Sequence, residues 1–310
     1  MMRTLLARVS ENAWMRTHVP NFLFVRRAVR RFVPGEDLAA ALTAVHGLKQ
    51  LGIDGILTQL GESVTEPGAA DAVAAHYLEV LAGAAAHGVD GQPSIKPTQL
   101  GLDLPDGLEH CCRNLTTIVA RAAGLGNYVW IDMEASKYVD QTLELFRRVH
   151  RLHPNVGICL QTCLYRTEAD LAGLVPLGAG IRLVKGAYKE PPSRAFPNKR
   201  DVDRNYLALS RQLLAKQTRE HGSWPAFGTH DRRLIEALNR MAADEGVAKN
   251  GYEFQMLYGI QRNEQERLAR EGYRVRVMVN YGSHWFPWYM RRLAERPANL
   301  WFVARSVFVR

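Results

Sequence analysis

Ile181-Arg182-Leu183-Val184-Lys185-Gly186 is a short apolar run that carries two cations and closes on a glycine. A polar stretch follows, then an amphipathic segment over 201–220, then another apolar run over 225–229. The same order of apolar run, polar or glycine stretch and amphipathic segment recurs along the chain. It predicts strands over 55–60, 94–100, 128–133, 156–161, 181–185, 225–229, 252–257 and 275–280. Helices are predicted over 69–87, 139–153, 168–174, 201–220, 232–245 and 261–271, and ahead of the first strand over 11–32 and 37–51. Eight strands at roughly 25 to 45 residue intervals with helical crossovers imply an α/β fold, a closed (βα)8 TIM-like barrel. The expected organisation is an N-terminal helical arm over 1–52 and a barrel over 53–310. A doubly wound sheet would need a Gly-rich phosphate loop after an early strand. Neither G-x-G-x-x-G nor a Walker pattern occurs.

Bulk properties narrow the function classes. Hydrophobic residues make up 47% of the chain and charged residues 23%, as in ordinary soluble proteins. No apolar run reaches spanning length, and the N-terminus shows no clear signal peptide, so the expected compartment is the cytoplasm. A net charge of +9 admits nucleic acid, acidic lipid or an anionic ligand. No helix-turn-helix, zinc finger or aromatic-basic RNA motif accompanies it, which argues against nucleic acid. The densest cluster, Arg26, Arg27, Arg30 and Arg31, is expected on a solvated or lipid-facing helix face, leaving room for peripheral contact at the inner face of the membrane. Cys111, Cys112, Cys159 and Cys163 form no C-x-x-C pair, so no metal site is expected.

Two groups of residues carry chemistry. The first is the segment Trp285-Phe286-Pro287-Trp288-Tyr289-Met290-Arg291-Arg292-Leu293-Ala294-Glu295-Arg296-Pro297. Pro287 suits a first helical turn, and Arg291 and Arg292 present two guanidinium forks of the kind that grip a carboxylate. Glu295 can reach either arginine, and a plain solvated ion pair is the alternative. The aromatic bulk alongside points instead to a pocket for a small anion. The second group stands at strand ends, where a (βα)8 barrel keeps its active site. It comprises Glu62, Lys96, Asp132, Gln161, Arg182, Lys185, Tyr188, Thr229-His230-Asp231 and Gln255. An aspartate ending a strand is often just a helix cap. Charges within several strands need a stronger reason, because an unpaired buried charge is costly.

Ile181–Tyr188, Gly228-Thr229-His230, Tyr252-Glu253-Phe254-Gln255 and Arg291-Arg292-x-x-Glu295-x-Pro297-x-Asn299 resemble the signatures of proline dehydrogenases. Leu60-Gly61-Glu62, Ile95-Lys96-x-x-Gln99-Leu100-Gly101, Ile131-Asp132-Met133-Glu134 and Leu160-Gln161 support the resemblance. It runs in order from about Trp14 to the C-terminus, and it is to the compact monofunctional bacterial members. The resemblance implies a distorted barrel binding FAD noncovalently. It implies oxidation of L-proline to Δ1-pyrroline-5-carboxylate by hydride transfer to flavin N5, with a membrane quinone as electron acceptor. By the same resemblance Arg182 lies near N5, favouring the reduced, anionic flavin. Gln161, Val184, Lys185, Gly186, Ala187, Thr229, His230, Gln255 and Glu295 hold the rest of the cofactor. Lys96, Arg291 and Arg292 clamp the substrate carboxylate. Tyr188 and Leu257 shape the ring pocket, Asp132 sets polarity and protonation beside Lys96, and Glu62 pairs with Arg291 as a gate.

The chain departs from that family pattern at a few positions. Trp288 stands three residues before the first arginine, where a tyrosine is usual. The final strand reads Met278-Val279-Asn280-Tyr281-Gly282, with Met278 in another tyrosine position and Asn280 in a proline position. Cys163 occupies a place where an aromatic is common. Two wall phenols are therefore absent while the clamp and cofactor residues are intact. Three readings follow: a proline dehydrogenase with a repacked wall, the same flavin chemistry on another carboxylate-bearing secondary amine or substituted proline, or a non-catalytic flavin-binding regulator.

Overall fold

A computed structural model describes residues 29–61 and 63–286. Its strands are β1 (Asp54–Gln59), β2 (Gly91–Ile95), β3 (Val129–Ile131), β4 (Val156–Gln161), β5 (Gly180–Val184), β6 (Trp224–Gly228), β7 (Glu253–Leu257) and β8 (Arg274–Tyr281). They form a closed parallel barrel in sequence order. Closure runs through β1 and β8, in register from Asp54↔Arg276 to Gln59↔Tyr281. The helices are α1 (Leu38–Lys49), α2 (Pro67–Ala86), α3 (Gly107–Gly124), α4 (Val139–Leu152), α5 (Thr167–Leu174), α6 (Lys199–Leu214), α7 (Lys216–Glu220), α8 (Arg232–Asp244) and α9 (Arg262–Arg270).

Period-2 alternation sorts each strand between two cores. The outward residues meet the helices: Leu57, Ile158, Leu183, Phe254, Val275, Val277 and Val279 join Tyr77, Phe146 and Tyr206 in one large apolar cluster. The inward apolar residues are few. Ile56, Trp130 and Ala226 form a small plug inside the barrel, with Met278 against it. Helix α1, from within the stretch read as an arm, lays Ala41, Leu42, Val45 and Leu48 into the outer core. Gly55 lets it approach, since a Cβ there would stand 2.6 Å from Val45 Cγ1. Asp37 caps α1 by accepting the Ala40 N–H at 2.7 Å.

Three local differences from the sequence reading have physical causes. The stretch read as a strand over 94–100 ends at Ile95 and turns into a 3-10 helix over Pro97–Leu100. Pro97 has no N–H to give a ladder, and Gly101, at φ 98, closes the turn onto Pro97 O. The helix expected over 201–220 breaks at Ala215, whose ψ is 144. The Thr218 hydroxyl and Arg219 Nε donate to the Gln212 and Leu214 carbonyls freed by the break, at 2.7 and 3.0 Å. Helix α3 was not among those expected. Its stripe of His110, Cys111, Leu115, Ile118, Val119 and Ala122 is buried, but it starts beside Asp106 without a side-chain cap bond.

Candidate active site

The C-terminal ends of the strands gather polar side chains around Arg182. This guanidinium is 2% exposed and lies 5.3 Å above the Trp130 ring. One terminal nitrogen donates to Gln255 Oε1 at 3.0 Å. The other donates to Ser94 Oγ at 3.1 Å and to Asp132 Oδ1. The Ser94 hydroxyl itself donates to Asp132 Oδ1 at 2.7 Å. Strands β2, β3 and β7 thus hold a cation delivered by β5. Burial works against the charge, while Cys159 and Asp132 favour it and leave the pKa above the ordinary arginine value. Lys96 Nζ stands 3.9 Å from Asp132 Oδ2, so one carboxylate serves two cations.

Lys96 begins the 3-10 turn after β2, and Glu134 pins that turn. The Thr98 N–H and hydroxyl donate to the Glu134 carboxylate at 3.0 and 2.8 Å. Burial pushes the Glu134 carboxyl above the usual range, against the pull of these bonds. Gln161 Nε2 donates to the Glu134 backbone carbonyl at 2.8 Å, joining the ends of β3 and β4. The sequence reading gave Glu134 no role. Its signal was position alone, two residues past Asp132.

After β5 the chain keeps pairing with the end of β4, because Thr162 N–H donates to Val184 O and Cys163 N–H to Lys185 O. Gly186 follows at φ 108, where a Cβ would stand 2.4 Å from Cys163 Sγ and 3.3 Å from Gln161 Oε1. Lys185 Nζ is bound to Asp203 at 2.5 Å and lies 3.4 Å from Asp231. Burial opposes both carboxylates. Lys185 and Lys199 nevertheless hold Asp203 below its ordinary value, and Lys185 and the Arg233 N–H do the same for Asp231. Lys185 therefore clasps helix α6 and the cap of α8. Thr229 Oγ1 accepts the Asp231 N–H at 3.2 Å. His230 Nε2 accepts the Leu257 N–H at 2.8 Å, so a neutral ring carries its proton on Nδ1. Tyr188 and Ala187 lie in the loop that leaves β5.

Below Arg182 the inner face holds two charges that the sequence reading did not select, Glu253 and Arg276, 2% and 1% exposed. Gln255 Nε2 donates to Glu253 Oε1 at 2.5 Å. Arg276 Nε lies 3.4 Å from Glu253 Oε2. A further Arg276 nitrogen reaches Asp90 at 3.0 Å. The signal was present. Glu253 is the one charge in β7 and Arg276 stands within the apolar alternation of β8, in phase with the inward Gln255 and Met278 respectively.

The structure thus brings Lys96, Asp132, Arg182 and Gln255 together by direct contact, ties Gln161, Lys185 and His230 to adjoining strand ends, and bonds Thr229 within its own loop. Glu62, Trp288, Arg291, Arg292 and Glu295 lie outside the described residues. Among the described residues no group of three or more His, Cys, Asp or Glu is placed to hold a metal, and no helix is long and apolar enough to cross a membrane.

The chain as a whole is similar to known proteins. The proline dehydrogenase family model matches residues 41–305. A Deinococcus radiodurans protein named proline dehydrogenase is 40% identical over 280 residues, 89% of each chain. Proline dehydrogenase 1 of Bacillus subtilis is 35% identical over 308 residues, 99% of each chain. Among solved structures, proline utilization A from Bdellovibrio bacteriovorus, inactivated by N-propargylglycine, aligns with a TM-score of 0.82 at 22% identity. That alignment covers 95% of this chain but 36% of the larger protein, so it speaks to the fold alone. With a family model spanning most of its length and close full-length relatives, the chain belongs to the proline dehydrogenase family.

Proposed function

We propose that this chain is an FAD-dependent dehydrogenase that oxidises L-proline to Δ1-pyrroline-5-carboxylate at the barrel mouth. The observation that carries the reading is Arg182, a buried guanidinium fixed by neighbours on three other strands beside the Lys96–Asp132 pair. A fixed cation with little access to water suits a ring that gains negative charge when reduced.

The residues present fit that cofactor. Arg182 supplies a buried cation and Gln161 and Gln255 supply strand-end amides, while Gly186, at φ 108, lets the backbone turn tightly against Cys163 Sγ. FAD, when bound, supplies the two-electron acceptor for the hydride. Arg182 would stand near its N5. Gln161, Val184, Lys185, Gly186, Ala187, Thr229, His230, Gln255 and Glu295 would hold the remainder. Lys96, Arg291 and Arg292 would clamp the substrate carboxylate, since charge-assisted bonds to three cations fix both position and orientation. Asp132 would hold Lys96 and Arg182 in place, since its carboxylate faces both cations. Tyr188, Leu257, Met278 and Trp288 would line the ring, with Glu62 and Arg291 as the gate. A quinone is the proposed electron acceptor, with peripheral membrane contact through the Arg26–Arg31 cluster, of which Arg26 and Arg27 lie outside the described residues.

One observation favours a second reading, the same chemistry on another carboxylate-bearing secondary amine. Met278 packs against the inner plug of Ile56, Trp130 and Ala226, so position 278 offers the substrate no phenol. Both readings are tested on the purified protein. It is expected to carry FAD that denaturation releases, and to reduce a soluble quinone analogue with L-proline. Hydroxyproline, pipecolate and N-alkyl amino acids form the comparison set. A best substrate other than L-proline, with the ranking restored by Trp288→Tyr plus Met278→Tyr, would establish the second reading. A folded protein that takes up no FAD would defeat both.

A further inference from the structure

We propose that Glu253 is a positioning residue for Arg182: it fixes the rotation of the Gln255 amide, and that amide fixes the guanidinium. The consequence for catalysis rests on the reading of Arg182 as the cation beside the flavin. The positioning itself rests on contacts within this chain.

A guanidinium can only donate hydrogen bonds, and a carboxylate can only accept them. Gln255 lies between the two. Its Oε1 faces Arg182 at 3.0 Å and its Nε2 faces Glu253 at 2.5 Å. Turning the amide by half a revolution would set its NH2 against the guanidinium and its oxygen against the carboxylate. Both contacts would become repulsive, so a single rotation survives. Replace the carboxylate by an amide and that constraint disappears, because an amide can donate or accept.

The Glu253 charge has its own support. At 2% exposed it needs a counterion, and Arg276, 1% exposed, stands 3.4 Å away. Arg276 is anchored in turn by Gly55 O at 3.2 Å, Asp90 at 3.0 Å and Asp54 at 3.7 Å. The charges therefore alternate along the inside of the barrel. The sequence runs from Asp132 at the mouth through Arg182, the Gln255 amide, Glu253 and Arg276 to Asp90 at the base. Arg182 takes its other bonds, to Ser94 and Asp132, from β2 and β3. Gln255 holds it from β7. Without that second hold the guanidinium could turn about a support lying to one side. Glu253 touches no reacting atom, and its effect is transmitted.

The rival view is that Glu253 and Arg276 merely hold the barrel together. Two variants of the full-length protein separate the views. Glu253→Gln keeps size but removes the carboxylate, at the risk of leaving Arg276 unpaired. Glu253→Gln with Arg276→Gln removes both charges together, so no lone buried charge remains. The first readout is the side-chain 15N–1H signals of Gln255 and Arg182 in selectively labelled protein. The second is the two-electron midpoint potential of the bound flavin.

In the native protein Gln255 is expected to give one sharp pair of amide signals. In both variants that pair should broaden or double, and the Arg182 signals should shift and exchange faster. The flavin equilibrium should move toward the oxidised form by about tenfold, about 30 mV for two electrons, with kcat falling while KM holds. A lowered melting temperature with the Arg182 signals unchanged would make the pair structural only and overturn the proposal. Should the protein take up no flavin, the proposed function fails, and the signals still decide the positioning.

Discussion

Replacing Arg182 with methionine is expected to slow flavin reduction by L-proline by about 10²- to 10³-fold, the usual loss when one preorganised charge stabiliser is removed. The methionine keeps bulk against Trp130 but takes away the cation that three neighbours orient. The fold should tolerate the change. Asp132 retains the Ser94 hydroxyl at 2.7 Å and Lys96 at 3.9 Å, and its side chain is 19% exposed, so its charge is not stranded. Stopped-flow reduction under anaerobic conditions, set beside a thermal melt, separates rate from stability. A rate within a few-fold of the native value would remove Arg182 from the mechanism.

Arg276→Met should produce the opposite pattern, a large loss of stability with the mouth still assembled. Glu253 is buried, and among the described residues Arg276 is its ion-pair partner. Removing one member of a buried pair leaves the other charged and unsolvated, which costs about 3–5 kcal/mol. For a domain of this size that lowers Tm by on the order of 10 °C. Asp90 and Asp54 suffer less, with side chains 42% and 43% exposed. Chemical denaturation checks the figure. A variant as stable as the native chain would mean that the Glu253–Arg276 pair does not hold the barrel together.

The barrel was legible because every crossover leaves the same trace, an apolar run followed by an amphipathic helix. Val156–Gln161, buried along its whole length, matches the expected span at both ends. Errors fell where a short-range effect overrode the pattern. Pro97 stopped β2 before the apolar run ended, and Ala215 split a helix whose amphipathic phase continued across the break. The mouth was legible in part. Arg182, Lys96 and Asp132 stood out as charges at strand ends, and they do meet. Glu253 and Arg276 are equally polar and as buried as Arg182, but they lie lower on their strands, where a barrel usually keeps packing residues. Partnership could not be read either. Sequence gives Lys185 as a cation at a strand end. Only the fold brings Asp203 and Asp231 to it from separate helices.

The proposed role of the fixed Arg182 and its neighbours is to serve oxidation of L-proline by a bound flavin. It is tested most directly by adding L-proline to the FAD-loaded protein without oxygen and following the flavin absorbance. The expected result is bleaching of the oxidised flavin, with one Δ1-pyrroline-5-carboxylate formed for each flavin reduced. A protein that holds FAD yet stays yellow under saturating L-proline would contradict this reading.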